Sequence, residues 1–105
     1  MKILFYFKNL EVSEIVKTFL KKQVSKIKKF LHQEESWIEI ELKKDKEVKF
    51  KKGLFKTKIM LTISKSKLIV AEGEGKDIFS SFSEALDKLK REIKNTKLLK
   101  RVRNI

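Results

Sequence analysis

Residues 37–43, Trp-Ile-Glu-Ile-Glu-Leu-Lys, constrain what this chain can fold into more than any other segment. Successive side chains of a strand point to opposite faces. Ile38, Ile40 and Leu42 therefore share one face while Glu39 and Glu41 share the other, the pattern of a strand that is buried on one side and wet on the other. Such a strand needs neighbours in a sheet and a layer over its apolar face. Two segments with helical periodicity can supply that layer. Val16, Leu20, Val24, Ile27 and Leu31 recur at spacings of three and four, predicting one helix from Ser13 to about His32. Ser13 serves as its N-cap, and Glu14 sits where the helix dipole favours an acid. Ile78, Phe82, Ala85, Leu86, Leu89 and Ile93 form the second stripe, behind a cap at Asp77.

Three further strands complete the sheet. Residues 1–7 are apolar on both alternating sets, Ile3, Phe5 and Phe7 against Leu4 and Tyr6, which predicts a strand inside a layered fold. Residues 55–64 place Ile59, Leu61 and Ile63 on one face. Residues 67–72 form a short fourth strand, which Gly73-Glu74-Gly75 breaks. Residues 43–52 read as a charged connection ending at Gly53, and Ser64-Lys65-Ser66 as a turn. The predicted architecture is α+β in the order β-α-β-β-β-α: a four-stranded mixed sheet with two helices packed on one face. The first strand pairs parallel through a helical crossover, and the other three pair antiparallel. This arrangement resembles a double-stranded RNA-binding fold.

At 105 residues, with no linker composition and no repeat, the sequence predicts a single domain over 1–105 with a basic tail at about 97–105. Absence of Cys removes disulfides, thiolate zinc sites and cysteine nucleophiles, and fits a cytoplasmic location. The apolar stretches are far shorter than the roughly 20 residues a membrane helix needs.

The 27 Lys and Arg against 14 Asp and Glu leave a net charge of +13. Solubility of a small domain asks for only about 2 to 8, so the excess points to a polyanionic partner. The helices commit their apolar faces to the core, which favours nucleic acid over a membrane. Lys22, Lys26 and Lys29 share a stripe on the first helix, with Lys17, Lys21 and Lys28 on its outer side. Lys88, Arg91, Lys94 and Asn95 are read as a stripe on the second, and Lys97, Lys100, Arg101 and Arg103 follow. If the helices lie side by side on the sheet, these rows border a shared groove or ridge. Phe19, Phe30, Phe79 and Phe82 stand at helix positions where core packing is expected, and no glycine-aromatic motif accompanies Phe5, Tyr6 and Phe7, so base stacking is not the expected mode.

Catalytic chemistry finds no support. His32 is the single histidine, placed at the end of the first helix, so neither a histidine metal cluster nor a Ser-His-Asp triad can form in one chain. Gly73-Glu74-Gly75 lacks the third glycine of a dinucleotide fingerprint, and no phosphate-loop pattern occurs. Glu34-Glu35 and Glu39-Glu41 read as surface charge. No enzyme activity, cofactor, metal or small-molecule substrate is expected.

Two stretches resemble the ribosome hibernation-promoting factor family, which includes the ribosome-associated translation inhibitors. The first is Asn9-Leu10-Glu11-Val12-Ser13-Glu14 with Phe19-Leu20 and Ser25-Lys26-Ile27-Lys28-Lys29-Phe30. The second is Asp77-Ile78-Phe79-Ser80-Ser81-Phe82 with Ala85-Leu86-Asp87-Lys88-Leu89-Lys90-Arg91 and Lys94-Asn95-Thr96-Lys97. The resemblance implies that Lys26, Lys29, Lys88, Arg91, Lys94 and Lys97 face small-subunit ribosomal RNA, with Lys22 on the same stripe. Lys8 stands where the family has a basic residue after the first strand. The sequence departs from the family pattern at Phe7, Gln23, Phe79 and Asn95, in place of glycine, lysine, tyrosine and a basic residue. The implied role is that of the short form: a monomer off the ribosome that occupies the decoding region and excludes messenger and transfer RNA. The alternatives are a general double-stranded RNA-binding module or small ribosome-associated protein, and an interaction domain for an acidic protein.

Overall fold

The structure is a computed structural model that describes residues 2–31, 36–45, 54–63 and 67–104, with side chains described up to residue 95. The expectations for His32, Glu34-Glu35, the connection at 46–53 and the turn at Ser64-Lys65-Ser66 lie outside the described residues. Four strands, β1 (Lys2–Lys8), β2 (Ser36–Lys44), β3 (Phe55–Ile63) and β4 (Lys67–Gly75), form one sheet in the order β1-β2-β3-β4. β1 pairs parallel to β2, and the β2–β3 and β3–β4 pairs are antiparallel. The helical segments are α1 (Glu14–Ser25), α2 (Lys28–Leu31) and α3 (Ile78–Asn104).

Alternation decides which face is covered. Ile38, Ile40 and Leu42 of β2, Thr57, Ile59, Leu61 and Ile63 of β3, and Ile69 and Ala71 of β4 are all buried. They form one core with Leu20, Val24, Ile27 and Leu31 from the first helical region and Phe82, Ala85, Leu86, Leu89 and Ile93 from α3. Both helical regions therefore lie on one face. α3 covers β4 and β3, while Lys17 of α1 reaches the Phe7 ring of β1, 5.5 Å from its centroid. At the helix starts, Ser13 Oγ accepts the Val16 N–H at 3.2 Å and Asp77 Oδ1 accepts the Ser80 N–H at 2.8 Å, each supplying a partner for an otherwise orphaned donor.

Four expectations are corrected. The first helix does not run unbroken to residue 31. Ser25 Oγ donates to the Lys21 carbonyl at 2.8 Å, and the Lys26 and Ile27 N–H groups bond three residues back, to Gln23 and Val24, so the turn tightens there before α2 resumes. A serine back-bonded to the preceding turn bends a helix in this way. Ile27 remains fully buried across the junction, which is why the apolar stripe did not betray it. Second, β1 is an edge strand. Ile3, Phe5 and Phe7 pack partly against the core, whereas Tyr6 stands exposed on the open face.

Third, Gly73 and Gly75 do not end β4; they belong to it, opposite Thr57 and Phe55. Their lack of side chains lets α3 lie against the strand. A Cβ on Gly73 would stand 2.6 Å from the Ala85 nitrogen, and one on Gly75 would stand 2.7 Å from the Ser81 nitrogen. Fourth, the backbone at 97–104 is a continuation of α3 rather than a separate tail. A run of Lys, Leu and Arg without Gly or Pro favours helix.

Candidate nucleic-acid interface

α1 and α3 run in the same direction across the sheet, and aromatic rings tie them at two levels. Near their starts, Phe19 and Phe79 meet edge to face with centroids 5.8 Å apart and planes at 77°. Further along, the Phe30 ring of α2 takes Lys29 Nζ at 5.3 Å and Lys94 Nζ of α3 at 5.9 Å. A cation over an aromatic face is attracted to it, and here one ring holds a lysine from each helical region. Lys29 and Lys94 thus both lie within 6 Å of the centroid of a single ring.

Between these two levels lies the groove. Lys22 and Lys26 follow Phe19 at three and seven residues, Lys22 on the exposed side of α1 and Lys26 at its C-cap. Lys26 Nζ donates to Gln23 Oε1 at 3.3 Å. On the opposite wall Lys90 and Lys94 follow Phe79 at helical spacing. Lys22, Lys26, Lys29 and Lys94 are exposed, and among the described residues none of them forms an ion pair with a carboxylate. Lysines without a carboxylate partner, standing on neighbouring helices, raise the positive potential between them.

Not all the expected cations join this groove. Lys88, Arg91 and Asn95 are turned about 120°, 60° and 100° around α3 from Lys94 and lie with Glu92 along the free edge of β4 beside Val70, Ala71 and Glu72. The expected stripe of Lys88, Arg91, Lys94 and Asn95 thus spans about 120° of the helix surface, with Lys88 at the β4 edge and Lys94 at the Phe30 ring. Leu89 and Ile93 are buried, so Lys88, just before Leu89, falls on one side of the core line and Lys94, just after Ile93, on the other. Lys8 is farther away, on the open face of the sheet, paired with Glu41 at 3.0 Å. Lys97 lies on the α3 backbone one turn beyond Lys94.

The open face has a different character. Cross-strand register places Glu39 and Glu41 of β2 and Glu72 and Glu74 of β4 there, with Lys56 held within 3.5 Å of Asp45 and 4.0 Å of Glu74. Both faces carry acids, since Glu14, Glu84, Asp87 and Glu92 stand exposed on α1 and α3, but the cations of those helices outnumber them, whereas on the open face acids and lysines pair across the strands. The arrangement suits contact with phosphate backbones through several separated lysines.

Sequence reasoning missed the positions of Phe19 and Phe79. Both were expected in the core, yet they are 46% and 47% exposed. Each sits at the margin of its apolar stripe, a signal that helical spacing could have carried. Among the described residues there is no group of three or more His, Asp or Glu able to hold a metal ion. No described helix is long and apolar enough to cross a membrane.

A family model described as sigma 54 modulation protein / S30EA ribosomal protein matches residues 3–99. Among solved structures, the chain is similar to the Protein Y N-terminal domain of Thermus thermophilus, with 18% identity and a TM-score of 0.76 over 91% of this chain and 99% of that one. It is similar also to a ribosomal subunit interface protein from Coxiella burnetii, at 16% identity and a TM-score of 0.76 over 93% of this chain and 99% of that one. No curated protein matches the sequence. Identities this low speak for the fold, and the β-α-β-β-β-α order with its mixed sheet is common to them. With the family model spanning nearly all of the sheet and helices that build the cationic groove, the chain belongs to the sigma 54 modulation protein / S30EA ribosomal protein family, that of the hibernation-promoting factors.

Proposed function

We propose that this protein is a ribosome-associated translation silencer that seats its helical face in the decoding region of the small subunit and excludes messenger and transfer RNA from an idle ribosome. The observation that carries this reading is the approach of Lys29 and Lys94, from two helical regions fixed to one sheet face, to the single Phe30 ring, with exposed Lys22 and Lys26 on the same helical side. Lysine rows on a rigid body can bridge RNA backbones without reading bases. Family membership and similarity to a protein named for the ribosomal subunit interface point to the same partner. In this reading the protein acts in the cytoplasm as a monomeric binding domain over 1–105, with small-subunit RNA as its target, and performs no catalysis. Lys88 and Arg91 offer a second backbone contact along the β4 edge, and Lys97, one turn beyond Lys94 in α3, is proposed as a further one.

Sedimentation with purified small subunits tests the reading. Co-sedimentation that transfer RNA reduces, and that a naked RNA duplex at equal phosphate concentration does not match, is the expected result. Equal affinity for the duplex and the subunit would instead identify a general double-stranded RNA-binding module.

A further inference from the structure

We infer that the Phe19–Phe79 pair is a stacking site for an unpaired nucleobase, so that the groove reads single-stranded or looped RNA in addition to duplex backbone. This rests on the proposed ribosomal role for the identity of the RNA, though not for the stacking chemistry. Three features converge. The rings meet edge to face at 5.8 Å and 77°, a favourable aromatic geometry that fixes both of them, yet each is left about half exposed. They come from separate helices and close one end of the groove, so a strand laid along it meets them. Lys22 stands one helical turn beyond Phe19, about 5–6 Å away between Cβ atoms, where it can hold the phosphate of the nucleotide whose base lies on the rings.

The charge of the surroundings selects the occupant. Along the groove the described cations are unpaired with carboxylates. A basic protein segment would be repelled, and a polyphosphate chain is attracted. Because every base has a π-face, aromatic stacking tolerates any sequence, consistent with a groove that otherwise offers lysines. Ile15, 83% exposed and one turn before Phe19, extends the apolar margin on which a base edge can rest.

The test places an indole reporter in the pair by Phe79→Trp in a Trp37→Phe background and titrates it with two probes at equal phosphate concentration. One is a non-self-complementary RNA strand about 12 nucleotides long and the other its perfect duplex, lengths that fill a typical single-strand site. Quenching by the single strand and not by the duplex is expected. In the otherwise native chain, Phe19→Ala with Phe79→Ala should weaken single-strand binding about ten-fold, within the range found when a stacking aromatic is removed. Duplex affinity should stay within about two-fold, because the phosphate contacts and the salt slope are unchanged. Phe79→Tyr should retain binding, whereas Phe79→Leu, apolar but without a ring, should not.

Equal loss for both probes would overturn the inference, as would full affinity in Phe79→Leu. It would also fall if the double alanine variant lost small-subunit binding while its affinity for both RNA probes stayed native, since the pair would then meet protein. Thermal unfolding of each variant separates loss of binding from loss of fold. Should the native chain stack single strands yet fail to sediment with small subunits, the ribosomal role falls and the stacking site stands; native sedimentation without stacking gives the reverse.

Discussion

Thr57 Oγ1 on β3 and Ser81 Oγ on α3 lie 2.8 Å apart in the buried layer between sheet and helix. Ser81 Oγ also donates to the Ile78 carbonyl at 3.2 Å, so the Thr57 hydroxyl is the donor in the pair. The two partners are therefore not equivalent. Removing Ser81 leaves the Thr57 hydroxyl buried without a partner, while removing the Thr57 hydroxyl leaves Ser81 still bonded to its own helix. Ser81→Ala is expected to cost about 1–3 kcal/mol, the penalty of a buried unsatisfied polar group, and Thr57→Val less than about 1 kcal/mol. Urea unfolding of the two variants checks the order; equal losses would place the hydrogen bond's value elsewhere.

The same seam depends on Gly73. An added methyl would meet backbone atoms of α3, the Ser81 carbonyl oxygen and the Ala85 nitrogen, which cannot swing aside as a flexible side chain can. The helix must lift from β4. Gly73→Ala is expected to destabilise the fold by about 2 kcal/mol or more, since overpacking costs typically 1–3 kcal/mol even where side chains can give. The corresponding fall in melting temperature is about 10 °C for a domain of this size. A melt within about 2 °C of the native protein would show that α3 does not press on the strand as described.

These two positions mark where the sequence stopped being legible. Ile38, Ile40 and Leu42 announced β2, and Phe82, Ala85, Leu86, Leu89 and Ile93 announced the buried face of α3, because alternation and helical spacing are local consequences of burial. A glycine carries no such signal. Gly73 reads as a breaker until α3 is known to lie on β4, and only then does its missing side chain become the reason it is there. The helical flanks were obscure for a related reason. Phe19, Phe79, Lys88 and Lys94 stand beside the buried stripe, and whether a flank faces a neighbouring helix or a sheet edge depends on tertiary packing. The lysine content led to the expectation of a polyanion-binding surface; it did not say which cations stand toward the neighbouring helix and which toward the β4 edge.

The caps make a smaller, cleaner prediction. Asp77 Oδ1 accepts the Ser80 N–H at 2.8 Å, and the Ser80 hydroxyl donates to the Asp77 carbonyl at 3.2 Å, so the first turn of α3 is closed on itself. Asp77→Ala should cost about 1 kcal/mol, and Asp77→Asn, which keeps an acceptor and loses the charge that the helix dipole favours, about half as much. Chemical denaturation at low and high salt separates the two contributions. The gap between Asn and Asp should shrink with salt as the charge is screened, whereas the loss on going to Ala should largely persist.

Separation of Lys94 from Lys88 and Arg91 around α3 makes the strongest functional prediction. Lys29 and Lys94 share the Phe30 ring at the head of the inter-helix groove, while Lys88 and Arg91 line the β4 edge. If the groove holds the RNA backbone, Lys29→Glu with Lys94→Glu removes two phosphate contacts and opposes the strand with two acids. Affinity for small subunits should then fall at least about 100-fold at low salt, and the slope of log affinity against log salt should lose roughly 1.5–2 units. Lys88→Glu with Arg91→Glu should produce a comparable change only if RNA wraps beyond the groove onto the β4 edge. Neither pair is buried, so both double variants should unfold with near-native stability. Sedimentation of the two variants over a salt series reads affinity and slope together. A native slope after reversal of Lys29 and Lys94, with a reduced one after reversal of Lys88 and Arg91, would move the RNA from between the helices to the sheet edge.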